Sequence, residues 1–142
     1  GEVTDFCAFH YNKTEPLAAL QDDFVTFTFL GDTYENELKD ADAVYMEATA
    51  YTDNGNTYEV NEKSAKSLMP KEESAVSNTF NLTIWPAEYF GIPEGETITR
   101  IEYIFTNKDG TLNITRTDDK IAAEGGEAEG EEEPFICELA CE

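Results

Sequence analysis

Between Tyr89 and Lys108 the chain reads Y-F-G-I-P-E-G-E-T-I-T-R-I-E-Y-I-F-T-N-K and continues into Asp109-Gly110. A Gly/Pro turn opens this stretch, a run of β-branched and aromatic residues fills it, and a hairpin signal closes it. Such side chains suit a pleated, half-buried surface, and Asp-Gly after the run marks a tight return. Alternation puts Ile101, Tyr103 and Phe105 on one face and Ile98, Arg100, Glu102 and Ile104 on the other. A chain organised around this segment is committed to β-sheet, and no catalytic spacing lies within it.

The same period of two recurs elsewhere. In 23–30, Val25, Phe27 and Phe29 form a core face against Phe24, Thr26, Thr28 and Leu30. In 43–51, Val44, Met46, Ala48 and Ala50 oppose Tyr45, Glu47, Thr49 and Tyr51. Asp53-Asn54-Gly55-Asn56 turns the chain into a short strand at 57–60, which makes Tyr51 and Tyr58 expected cross-strand neighbours. In 78–85, Phe80, Leu82 and Ile84 alternate with Thr79, Asn81, Thr83 and Trp85, and Pro86 ends the run because it has no N–H for a ladder. Pro86 to Gly91 reads as one helical turn. Residues 111–117 are expected to return as a partner strand, and Phe6, Ala8 and His10 as a short edge strand.

Seven or eight short strands with almost no helix predict an all-β, antiparallel, immunoglobulin-like β-sandwich. At 142 residues the chain suits one domain, spanning 1–142 with a core at 22–117. Nine Phe, seven Tyr and one Trp fill such a core without a metal or cofactor.

Nine Lys plus Arg against 31 Asp plus Glu give a formal net charge of -22. That balance opposes nucleic acid, whose binding depends on cationic side chains displacing counterions from phosphates. It favours solubility and a monomer. Part of the charge is local: E-G-G-E-A-E-G-E-E-E-P reads as an acidic, Gly-rich loop over 124–133. It is followed by a possible terminal strand, 134–140, in which Phe135, Cys137 and Leu139 alternate with Ile136 and Glu138. No apolar run reaches the roughly 18 residues of a membrane-spanning helix. The chain opens at Gly1, as at a processing point, so a removed export signal is compatible with it.

The cysteines are Cys7, Cys137 and Cys141, an odd set without zinc-site spacing. Cys7 can pair with Cys137 or Cys141 if the chain ends lie together. His10 is the single histidine and gives little support for Cys–His catalysis.

The segments V-T-F-T-F (25–29), V-Y-M-E-A-T-A-Y-T-D-N-G (44–55), F-N-L-T-I (80–84) and E-Y-F-G-I-P-E-G-E-T-I-T-R-I-E-Y-I-F-T-N-K-D-G (88–110) together resemble small immunoglobulin-like β-sandwich modules of Bacteroidetes secreted and surface proteins. Those modules often sit beside α-amylase-type glycoside hydrolase domains or in polysaccharide-utilisation systems. Phe80, the 89–96 stretch and Phe105 to Gly110 occupy the family's pattern. Arg116-Thr117-Asp118-Asp119-Lys120 and the Glu-rich segment depart from it. The resemblance implies an exported module, periplasmic, outer-membrane-associated or extracellular, with glycan association implied by its usual neighbours.

Candidate sites follow from side-chain chemistry. An aromatic ring can stack on the apolar side of a pyranose while polar neighbours bond its hydroxyls. Trp85 is the first candidate for that role, with Tyr45 and Tyr51 on a second strand face. The competing role for Trp85 is packing beneath the Pro86–Gly91 turn. Asp118-Asp119 with Glu124, or Asp53-Asn54 with Asn56, carry oxygen ligands but lack the calcium-loop pattern. No pair of carboxylates stands out for glycoside hydrolysis. The expected function is a non-catalytic accessory module of an exported or cell-surface protein, with polysaccharide or another envelope protein as its partner. The alternative is a structural spacer or protein-interaction domain that binds no glycan.

Overall fold

The computed structural model describes residues 11–15, 19–33, 35–72, 78–125 and 132–139. Among the described residues are nine strands: β1 (Asn12–Glu15), β2 (Val25–Leu30), β3 (Val44–Thr52), β4 (Thr57–Val60), β5 (Leu68–Met69), β6 (Thr79–Ile84), β7 (Ile98–Thr106), β8 (Asn113–Ile114) and β9 (Phe135–Glu138). Two α-helices, α1 (Pro86–Tyr89) and α2 (Arg116–Glu124), and one 3₁₀ turn (Leu38–Asp40) join them. All strand pairs are antiparallel. One sheet has the order β1-β2-β6; the other runs β4-β3-β7-β8, with β5 also on β3 and β9 also on β7.

The two sheets pack through aromatic rings. Phe27 meets Tyr103 edge-on at 4.8 Å between centroids, and Phe29 lies 5.1 Å from Phe105. Alternation places the core as the sequence implies: Val25, Phe27, Phe29, Val44, Met46, Phe80, Ile84, Ile101, Tyr103 and Phe105 are buried, and Leu82 packs half-buried against them. β9 behaves likewise. Phe135, Cys137 and Leu139 are buried while Ile136 is 42 % exposed, and Phe135 sits 5.5 Å from Tyr103 and 5.3 Å from Phe105.

Three expectations are corrected. The return after Gly110 pairs only at Asn113 and Ile114, and residues 116–124 form a helix. Thr115 caps it: its hydroxyl accepts from the Asp118 N–H, while the Asp118 carboxylate accepts from the Thr115 N–H at 2.9 Å. This reciprocal box satisfies two donors that a helix start leaves open. Ile98, expected to face outward, is fully buried. Tyr51 pairs with Arg100 but Thr52 pairs with Ile98, so Thr99 is an extra residue on β7 and the bulge switches Ile98 to the core side. Tyr58 pairs with Ala50 rather than Tyr51, which puts it on the core-facing side of β4.

The edge strand expected around Phe6, Ala8 and His10 lies outside the described residues, as do Cys7, Cys141 and the bridge proposed from Cys7 to Cys137 or Cys141. Cys137 is a free, buried thiol in register with Ile101, and burial pushes its pKa up to about 11.

Candidate functional site

β2 and β6 lie side by side in the register Thr26 to Thr83, Thr28 to Asn81 and Leu30 to Thr79. Their neighbours in sequence enter the core, so these three pairs, with Lys13 and Glu15 of β1 beside Thr28 and Thr26, form the outward face of the three-stranded sheet. One step beyond the ladder, Phe24 and Trp85 continue that face. Phe24 is 71 % exposed and Trp85 42 %, with ring centroids 6.4 Å apart and planes inclined at 55°. The Trp85 indole Nε1 donates to Asp22 Oδ1 at 3.4 Å, which orients the ring by its polar edge. Phe24, Trp85 and Ile136 are the large apolar side chains that stand exposed among the described residues.

Below the aromatic pair the β2 and β6 rungs are threonine and asparagine as far as Leu30, and β1 adds Lys13 and Glu15 in register with Thr28 and Thr26. The Thr26 and Thr83 hydroxyls share a hydrogen bond of 2.8 Å, and Thr28 Oγ1 donates to Asn81 Oδ1 at 2.7 Å. Asn81 Nδ2 in turn donates to Glu72 Oε2 at 3.2 Å. On one flank stand Lys13 and Glu15 of β1, ion-paired at 2.6 Å; on the other stands Glu72. The result is an open depression of about 430 Å³. Thr28 forms its floor, only 7 % exposed.

Tyr45 and Tyr51 lie on the outward face of the other sheet, across the sandwich from Trp85. Tyr45 is buried at 8 % exposure. Tyr51 carries the Arg100 guanidinium 3.8 Å above its ring and donates its hydroxyl to Glu102 Oε1 at 3.0 Å. That hydrogen bond, with burial and the Glu102 charge, raises the Tyr51 pKa. The structure therefore groups Trp85 with Phe24 and not with either tyrosine. Phe24 is the residue the sequence reading leaves out, although alternation along 23–30 already sets it on the outward face.

The remaining polar clusters hold turns. The Glu96 carboxylate accepts from Asn56 Nδ2 at 3.0 Å, Tyr58 Oη at 2.8 Å and Thr52 Oγ1 at 2.9 Å, and these bonds lower its pKa. Asp53 Oδ1 accepts from the Thr97 N–H at 3.0 Å, and Asp119 Oδ1 from the Tyr11 N–H at 2.7 Å. Asp53, Asp118 and Asp119, considered for calcium, are thus engaged with backbone donors. Among the described residues no group of three or more His, Cys, Asp or Glu is placed to hold a metal ion. No helix among them is long and apolar enough to cross a membrane.

A family described as a domain of unknown function, DUF8578, matches residues 12–114. The chain belongs to this family. Curated proteins gave no match. The DUF8578 segment runs from β1 through β8, so it contains Phe24, Trp85 and the whole threonine and asparagine face. Helix α2 and β9 lie past its end.

Proposed function

We propose that this DUF8578 domain is a non-catalytic accessory module of an exported or cell-surface protein and that it binds carbohydrate through the outward face of the three-stranded sheet. The observation that carries this reading is the exposed Phe24–Trp85 pair at the head of a polar, uncharged row. Two tilted rings, Phe24 largely exposed and Trp85 partly so, offer stacking surface for the apolar side of a sugar, and threonine and asparagine groups beside them match its hydroxyls. Further support comes from the resemblance to Bacteroidetes surface modules carried by the 88–110 stretch.

The test is direct because Trp85 is the single tryptophan in the chain. Titration with soluble polysaccharides is expected to change its fluorescence, and calorimetry of Trp85→Ala and Phe24→Ala is expected to show binding weakened by about tenfold or more. An unchanged emission spectrum across a panel of plant, algal and bacterial glycans at millimolar sugar refutes the carbohydrate reading and leaves a spacer or protein-interaction role.

A further inference from the structure

Resting on that reading, we infer that the ligand is an uncharged, extended polysaccharide lying along the strands, with Phe24 and Trp85 as its anchoring end and the threonine and asparagine rungs reading several successive sugar units. The face extends from Phe24 to Leu30, and at a strand's rise this is about 20 Å. A single ring covers only its upper end, so the remaining rungs have work only for a longer chain.

The chemistry of the rungs points the same way. Each threonine hydroxyl has one donor hydrogen and two acceptor lone pairs. The 2.8 Å bond between Thr26 and Thr83 uses one hydrogen and one lone pair, leaving a donor and acceptors on that rung. Thr28 spends its hydrogen on Asn81 Oδ1, and Asn81 spends one amide hydrogen on Glu72, which leaves acceptors on Thr28 and a second amide hydrogen on Asn81. Donors and acceptors of this kind along one line match vicinal hydroxyls. The internal bonds also hold the rungs in place before a ligand arrives, which reduces the entropy lost on binding.

Charge selects against acidic polymers. The chain carries a net charge of -22, and Glu15 and Glu72 stand on the two flanks of the depression. The Lys13 ammonium is already held by Glu15 at 2.6 Å. A polyuronate or sulfated glycan meets repulsion here, and a neutral glycan does not.

The experiment uses the full chain and calorimetry with a neutral glucan or xylan series from monosaccharide to hexasaccharide, beside the matching polyuronate. Affinity is expected to rise by about tenfold from disaccharide to hexasaccharide, the equivalent of two further hydrogen bonds. Thr83→Val, which keeps shape and removes the hydroxyl, and Asn81→Ala are expected to erase that gain, so that affinity no longer rises from disaccharide to hexasaccharide. Circular dichroism and melting of each variant establish that it is folded. Hexasaccharide binding no tighter than disaccharide, full hexasaccharide affinity in Thr83→Val and Asn81→Ala, or preference for the polyuronate would each overturn the inference while the carbohydrate reading stands. Absence of binding by every saccharide overturns both.

Discussion

Tyr58 on β4 donates its hydroxyl to Glu96, in the turn before β7, at 2.8 Å, so one carboxylate ties that turn to the β3–β4 hairpin. Asn56 and Thr52 donate to the same group. Because the Glu96 pKa is lowered in the folded chain, chiefly by Asn56 and Tyr58, the ionised form stabilises the fold at every pH above its ordinary value. That stabilisation is lost as pH falls through the lowered folded pKa. Glu96→Gln is expected to melt lower than wild type at neutral pH and to converge with it in acid. Melting curves of both proteins across the acid range check this, and a constant offset at all pH values contradicts it.

Phe105 is fully buried between Phe29, Tyr103 and Phe135. Phe105→Ala should cost about 3–5 kcal/mol of stability, since a cavity remains among rings that cannot close over it. Leu82 is only partly buried, so Leu82→Ala should cost clearly less. Urea unfolding of the two variants gives the comparison, and equal losses would contradict the placement of the core.

Thr115 is the cap of α2 through its reciprocal bonds with Asp118. Thr115→Ala should lose about 1 kcal/mol, with Thr115→Ser close to wild type. Hydrogen exchange at the Asp118 and Asp119 amides localises the effect. Unaltered protection there would mean the cap does not hold the helix start.

Gly31 has no room for a side chain. A Cβ at that position would stand 2.8 Å from the Asn78 carbonyl and 3.0 Å from the Lys39 Cβ. The Gly31 N–H also donates to that same carbonyl at 2.8 Å. Gly31→Ala should therefore destabilise the domain by about 1–3 kcal/mol, the usual cost of forcing atoms into a packed contact. A melting temperature equal to wild type would show that the 31–39 segment yields freely.

Phe24→Ala should leave stability within about 0.5 kcal/mol, since its side chain is largely in solvent, and Trp85→Ala, whose ring is more than half covered, should cost about 1–2 kcal/mol. Chemical denaturation of each variant checks this, and a loss of several kcal/mol would make the pair a packing feature instead of a binding surface.

The faces of β2, β6, β7 and β9 were legible in the sequence because period-two alternation is a local property and both sheets bury one side. The features that differed depend on partners. The bulge at Thr99 is fixed by the register against β3, and nothing within 97–105 signals it. Tyr58 fell one position from its expected neighbour because the hairpin turn, not the strand, sets the register. Helix α2 did leave a local mark, the Thr115-x-x-Asp118 spacing, hidden in a charged stretch with few apolar residues. Trp85 was visible as a candidate, but its partnership with Phe24 rests on pairing between strands far apart in sequence. The tyrosines proposed beside it lie on the other sheet for the same reason.

Strand β9 has a consequence for the order of events when the chain is made. β9 covers Tyr103 and Phe105 with Phe135, yet α2 and its following segment are synthesised in between. A growing chain thus carries an unfinished aromatic surface on β7 until residue 138 is free of the ribosome and β9 pairs to Arg100–Tyr103. Long-range strand pairings of this kind make folding slow relative to helical chains of similar size.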